Sequence, residues 1–144
     1  MIVLVARVTG IGGFFFRARD PAALNRWYAD HLGVVVLDAH DYEDPGWFQD
    51  RGETVVSAIA ADSTMPGAPE KTWAINFRVE DLDGMVRRLT AAGVAVEPHE
   101  HPYPNGRFAE LADPEGNRIQ LWEPNAASLA RDPGAPGAPE GGAP

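Results

Sequence analysis

Cysteine is absent from this chain of 144 residues, which excludes a disulfide scaffold, thiolate zinc sites and a cysteine nucleophile in one step and fits either redox compartment. Long apolar runs are lacking too. The only apolar start, Met1 to Val8, contains Arg7 and falls short of a signal peptide's combined regions or a membrane span, so a soluble, cytoplasmic protein is expected. Basic charge is scarce: 12 Lys+Arg stand against 21 Asp+Glu for a formal net charge of -9. That balance opposes a nucleic-acid backbone or an anionic membrane as partner. No Gly-x-Gly-x-x-Gly, phosphate loop, Gly-x-Ser-x-Gly elbow or His-Glu-x-x-His occurs, so the chain carries none of those chemical signatures. Gly10-Ile11-Gly12-Gly13 leads into a strand pattern where a nucleotide fingerprint requires a helix.

What is present is unevenly distributed. From Asn125 onward there are six Ala, four Gly and four Pro, with Leu129 the one large aliphatic and no aromatic residue. Such a segment has little to bury against the entropy of ordering it, so residues 125–144 are expected to be a disordered tail, at most after a last helical turn. The tail carries a charge of -1 and leaves -8 on residues 1–124, the expected single domain.

That domain repeats itself. Phe16-Arg17-Ala18-Arg19-Asp20 overlays Phe77-Arg78-Val79-Glu80-Asp81 at an offset of 61 residues. The match continues through one helix face in each copy, with Leu24, Trp27, Tyr28 and His31 or Leu32 in the first, and Leu82, Met85, Val86 and Leu89 in the second. Gly33 and Gly93 stop the two patterns, and Asp20, followed by Pro21, and Asp81 can cap their starts. Strand patterns follow each helix: Val34 to Asp38, Gly46 to Gln49 and Thr54 to Ala60, then Val94 to Pro98, Phe108 to Ala112 and Arg118 to Glu123. Asp113-Pro114-Glu115-Gly116 is a turn signal between the last two. The fold class is therefore α+β. Two βαβββ modules, about residues 10–62 and 72–124, are joined by a linker at 63–71 and pair into a curved mixed-sheet cradle.

Phe14 to Gly33, Asn76 to Asp83 and the stretch Phe108 to Glu123, with its Asp113-Pro114-Glu115-Gly116-Asn117 turn, resemble the vicinal oxygen chelate superfamily, in its glyoxalase and bleomycin-resistance branch. The resemblance covers residues 10 to 124. It implies a pseudo-twofold cradle, often completed by homodimerisation, that holds a small molecule and in many members a divalent metal. The positions it assigns to metal ligands are Gly13, Ser57, Ala74 and Gln120. Of these only Gln120 offers a ligand atom of the usual kind, whereas divalent ions want three or four N or O donors. Neither a metal nor another cofactor is expected at this position.

Alternation along the strands selects the candidate ligand-facing side chains. Parity from Gly13 gives Phe15 and Arg17, from Ala74 gives Asn76 and Arg78, and from Gln120 gives Trp122. Arg17 and Arg78 suit either a ligand or carboxylates at the module interface, and Asn76 either a pocket or an internal amide network. Trp47 and Phe108 join Phe15 and Trp122 as flat apolar walls or as ordinary core. Tyr103 and Arg107 flank the Pro104-Asn105-Gly106 turn and could form a rim. Glu110 is the best single carboxylate for acid-base work, with exposed-face Glu as its alternative. His99-Glu100-His101 places two imidazoles on one side of an extended segment; Pro98, Pro102 and Pro104 make it a loop, either solvated or at the pocket rim.

Three functions fit these residues. The first is a metal-independent protein that binds or sequesters a small aromatic or cationic compound. The second is a lyase, isomerase or dioxygenase of the same superfamily, using an unrecognised metal set or metal-free acid-base chemistry through Glu110 or His99. The third is a subunit or regulator whose shared surface matters more than its cavity.

Overall fold

The structure is a computed structural model and describes residues 6–35 and 46–134. Helix α1 spans Pro21–Leu32 and begins as its sequence dictates, with the Asp20 carboxylate accepting the Ala23 N–H at 3.1 Å and Pro21 in the first turn. Gly33 ends it at φ 68°, in the left-handed region where glycine costs least. Then come strand β1 (Ile75–Arg78), helix α2 (Leu82–Ala91), the short strand β2 (Glu97–Pro98), strands β3 (Gly106–Ala112) and β4 (Arg118–Pro124), and the turn-length helix α3 (Ala126–Leu129). Asp81 caps α2 from an unusual φ of 54°, and Gly93, at φ 84°, lets the Val94 N–H reach back to the Leu89 carbonyl.

β1 through β4 form one mixed sheet in the order β1-β4-β3-β2, parallel between β1 and β4 and antiparallel elsewhere. Strand, helix and three strands therefore make one βαβββ unit. Both helices feed the core on one side of the sheet, where Leu24, Tyr28, Leu82 and Leu89 meet Ala109, Leu111, Ile119 and Leu121. The Arg88 side chain ties the helices together by donating to the His31 carbonyl at 2.9 Å.

The first half of the chain differs from its expectation. Its helix forms, but residues 11–17, 46–49 and 54–60 carry no regular secondary structure and pair with no strand among the described residues. A strand pattern specifies alternation and not a neighbour, so these stretches have the right sequence and lack a ladder. The strand expected at Val34 to Asp38 lies mostly outside the described residues. After Pro124 comes a last helical turn, and the rest of the expected tail from residue 135 lies outside the described residues. Asn125 caps α3, the Ser128 hydroxyl donates to the Asn105 carbonyl at 2.9 Å, and Arg131–Glu53 and Arg51–Asp132 ion pairs tie it down.

A buried carboxylate organises the turn between β3 and β4. Asp113 Oδ2 accepts from the Tyr28 hydroxyl and from Asn117 Nδ2, both at 2.7 Å, while Oδ1 accepts the Glu115 N–H at 2.8 Å and the Asn117 N–H at 3.0 Å. Burial, then the bond to Asp113 and its negative charge, push the Tyr28 phenol well above its ordinary value. Glu115 in turn accepts the N–H groups of Arg19 at 2.6 Å and Asp20 at 3.2 Å, just before α1. Glu123 accepts the Leu82 N–H at 2.7 Å, at the start of α2. One hairpin thus places a carboxylate at the head of each long helix.

Candidate functional site

The strand register puts two rows of side chains on the sheet face away from the helices. Glu97, Glu110, Gln120 and Asn76 lie across the four strands as partners in one row. Phe108, Trp122 and Arg78 form the next, extended by His99, whose N–H donates to the Phe108 carbonyl at 2.9 Å. Trp122 is buried yet stands outside the helix-side core cluster, as its place on this outer face requires. The indole Nε1 donates to the Asn105 carbonyl at 2.9 Å, and its ring lies parallel to Phe108 at 6.3 Å between centroids. Tyr103 packs edge-on against Phe108 at 5.4 Å, and His99 tilts over the same ring at 6.1 Å.

Polar groups adjoin this aromatic patch. The Tyr103 hydroxyl and His99 Nδ1 share a hydrogen bond of 3.1 Å, His99 Nε2 lies 3.7 Å from Glu110 Oε1, and Arg118 donates to Glu110 Oε2 at 3.0 Å. Asn76 Nδ2 donates to Gln120 Oε1 at 2.8 Å. Glu110 and Arg118 also form the floor of an open cleft of about 550 Å³, walled by Ser63, Thr64, Met65, Gly67 and Ala68 of the linker. The arrangement can stack a planar ring on Phe108 and meet polar substituents with an amide pair and a carboxylate–guanidinium pair.

Eight of the expected site residues therefore share one face: Asn76, Arg78, His99, Tyr103, Phe108, Glu110, Gln120 and Trp122. Arg78 is partly committed, because its guanidinium covers Gly52 and donates to the Asp50 carbonyl at 2.9 Å. Four residues lie elsewhere. Arg107 has the opposite parity to Phe108 and turns to the helix side, pairing with Asp83 at 2.7 Å and holding that carboxyl below its ordinary value by hydrogen bonding and charge. Trp47 packs edge-on against Phe77 on the helix side, beside a cavity of about 90 Å³. Phe15 is 94% exposed, and Arg17 is exposed on the same unpaired stretch.

Two contributors were not anticipated. Arg118 shares the parity of Gln120 two residues on, a signal available from alternation alone. The linker Ser63–Ala68 carries no such signal, since its place over Glu110 is a matter of tertiary structure. At the positions that the resemblance assigns to metal ligands, Gly13 and Ala74 carry no donor atom and the Ser57 hydroxyl donates to the adjacent Ala58 carbonyl at 3.1 Å. The Gln120 carbonyl oxygen already accepts from Asn76. Among the described residues, no three His, Asp or Glu side chains converge.

A mixed four-stranded sheet in one βαβββ unit, with both long helices on one side and an aromatic, polar-edged face on the other, defines an α+β protein. Residues 10–121 match the family model of the Glyoxalase/Bleomycin resistance protein/Dioxygenase superfamily; the chain belongs to this family. It is 32% identical over 136 residues to the anthracycline biosynthesis protein DauV of Streptomyces sp. (strain C5), covering 90% of this chain and 48% of that protein. Identity to the anthracycline biosynthesis protein DnrV of Streptomyces peucetius is 34% over 103 residues, 70% of this chain and 36% of that protein. The chain thus spans between a third and a half of the length of these relatives. In fold it is similar to TnmS3, an antibiotic binding protein from Streptomyces sp. CB03234, with a TM-score of 0.55 at 24% identity over 83% of this chain and 99% of that one. No described helix is long and apolar enough to cross a membrane.

Proposed function

We propose that the chain binds a planar aromatic or cationic small molecule on the outer face of its sheet, without a metal ion. The observation that carries this reading is the parallel Phe108–Trp122 pair, edged by Tyr103 and His99 and set beside the Asn76–Gln120 and Glu110–Arg118 pairs and the adjoining cleft. The half-buried Phe108, backed by the buried Trp122, and the exposed Tyr103 supply ring area, and the two polar pairs supply orientation. The donor set supports the metal-free part. Of the four positions implied for a metal only Gln120 offers a usual ligand atom, and its oxygen is engaged by Asn76, short of the three or four donors a divalent ion takes. The relatives named for anthracycline biosynthesis, at 32% and 34% identity, support an aromatic ligand class.

Calorimetric titration with an anthracycline and with ethidium, a planar aromatic cation, tests the reading. Saturable binding is expected for at least one, unchanged by EDTA, and Phe108→Ala should weaken it roughly tenfold, the equivalent of about 1.4 kcal/mol. Absence of saturable binding for both compounds would refute the ligand class, and affinity abolished by EDTA would refute the metal-free part.

A second reading rests on the chain of contacts from Tyr103 through His99 and Glu110 to Arg118. Glu110 lies at the cleft floor, held by a cation on one side and an imidazole on the other, as a general base is held by its neighbours. Conversion of the bound compound, followed by mass spectrometry and lost in Glu110→Gln with binding retained, would establish this reading over simple sequestration.

A further inference from the structure

A ring stacked on Phe108 covers the aromatic part of the outer face and leaves the cleft beside it unfilled. Phe108 and Glu110 share that face two residues apart on β3, so the carboxylate stands about 7 Å along the strand from the ring. Beyond it the linker walls the cleft, whose volume of about 550 Å³ is that of a small-molecule site. Among the described residues no aromatic side chain lines it. The Ser63 and Thr64 hydroxyls and the Glu110–Arg118 pair surround a small apolar patch of Met65, Gly67 and Ala68.

Much of the hydrogen-bonding capacity of this lining is unspent. The Ser63 oxygen accepts the Met65 N–H at 3.2 Å, but its own hydrogen and the Thr64 hydroxyl meet no partner among the described residues. Arg118 donates one N–H of its guanidinium to Glu110 Oε2 at 3.0 Å, and Glu110 Oε1 lies 3.7 Å from His99 Nε2, beyond hydrogen-bond reach. Donors and acceptors are both on offer, with no net charge. The loop is also built in advance: Ser63 N–H donates to the Ala60 carbonyl at 2.9 Å, Gly67 N–H to Thr64 at 3.0 Å and Lys71 N–H to Ala68 at 2.9 Å, and Pro66 is buried. Such a loop loses little freedom when a ligand fills the cleft.

We propose, resting on the binding reading above, that the cleft is the second half of a two-part site, and that the ligand is a flat aromatic ring bearing a neutral, hydroxyl-rich substituent of the glycosyl kind. A hydroxyl both donates and accepts, so a group rich in hydroxyls matches a lining of hydroxyls, carboxylate oxygen and guanidinium N–H. An apolar substituent would strip water from Glu110 and Arg118 and return no hydrogen bond. A charged one would find its counter-ion taken, because Glu110 and Arg118 already pair with each other. Ser63 and Thr64 thereby determine which aromatic compounds bind, although neither touches the ring.

Calorimetric titration of the full chain with doxorubicin, with its aglycone and with N-acetyldoxorubicin, whose sugar is uncharged, tests the proposal. Both glycosides should bind about tenfold tighter than the aglycone, the equivalent of one or two net hydrogen bonds. In the double variant Ser63→Ala with Thr64→Val, which removes both hydroxyls from the loop, that ratio should fall to about twofold. Thr64→Val alone should lower it part of the way, and serves where loss of the Ser63 bond to Met65 disturbs the loop; Thr64→Ser should keep it. Equal affinities for glycoside and aglycone would overturn the proposal and leave the aromatic reading standing. A preference confined to the charged sugar, or a ratio that the variants leave unchanged, would overturn it as well. Saturable binding of none of the three would overturn it too, and would refute the aromatic reading itself only where ethidium also fails to bind.

Discussion

Removal of the Asp113 carboxylate should cost more stability than any substitution on the outer face. The carboxylate accepts four hydrogen bonds, two from the buried Tyr28 hydroxyl and the Asn117 side chain and two from backbone N–H groups of the turn. Bonds to a charged group contribute about 1.5–3 kcal/mol each when buried, and orphaned donors cost a similar amount. Water can reach the half-buried Glu115 N–H, so the three buried bonds from Tyr28 and Asn117 dominate and Asp113→Ala should lose about 5 kcal/mol. Tyr28→Phe removes one bond and should lose about 2 kcal/mol. In the Asp113→Ala background the same Tyr28→Phe change should be nearly neutral, because the hydroxyl no longer has a buried acceptor. The double-mutant cycle therefore predicts a coupling of about 2 kcal/mol. Urea unfolding followed by tryptophan fluorescence measures all four corners, and a coupling below about 0.5 kcal/mol would refute the network. The same phenol sets a pH dependence. Its folded value is raised, so above the ordinary value of about 10 the unfolded chain releases a proton that the folded chain keeps. Stability should then fall with rising pH from about 10 upward, by up to about 1.4 kcal/mol per pH unit from this group, and Tyr28→Phe should remove that share of the slope.

Other expectations follow from single positions. Gly106 sits at φ 138°, and a Cβ there would run into the Glu123 backbone carbonyl, so Gly106→Ala should lose about 3 kcal/mol and lower the melting temperature by roughly 10 °C in calorimetry. Arg107→Ala, by contrast, loses only exposed pairs with Asp83 and Glu123 and should change stability by less than about 1 kcal/mol and ligand affinity not at all. A large fall in affinity for that variant would contradict its placement on the helix side.

The second module was legible in the sequence because each of its signals is local and its partners lie in the same chain. Asp81, Gly93 and the turn at Asp113 punctuate it, and alternation carries Asn76, Phe108, Glu110, Gln120 and Trp122 to one face. The first module shows the limit of that reasoning. Its contiguous Phe14, Phe15 and Phe16 suit a strand, but nothing in a single strand names its neighbour. Arg107 was drawn to the rim by the turn before it, although its parity with Ala109 and Leu111 already pointed to the helices. Asp113-Pro114-Glu115-Gly116-Asn117 read as a turn; that its two acidic residues serve α1, one through Tyr28 and one through the N–H groups before the helix, depends on contacts across 85 to 96 residues.

The Glu115 and Glu123 carboxylates, with Asp113, put much of the domain's polar bracing on the side of the sheet that faces the helices. Positions 76, 110 and 120 on the other side carry little of it. Ligand preference can therefore drift at those three positions while the scaffold stays intact, so chains sharing this backbone can diverge in what they hold long before they diverge in how they fold.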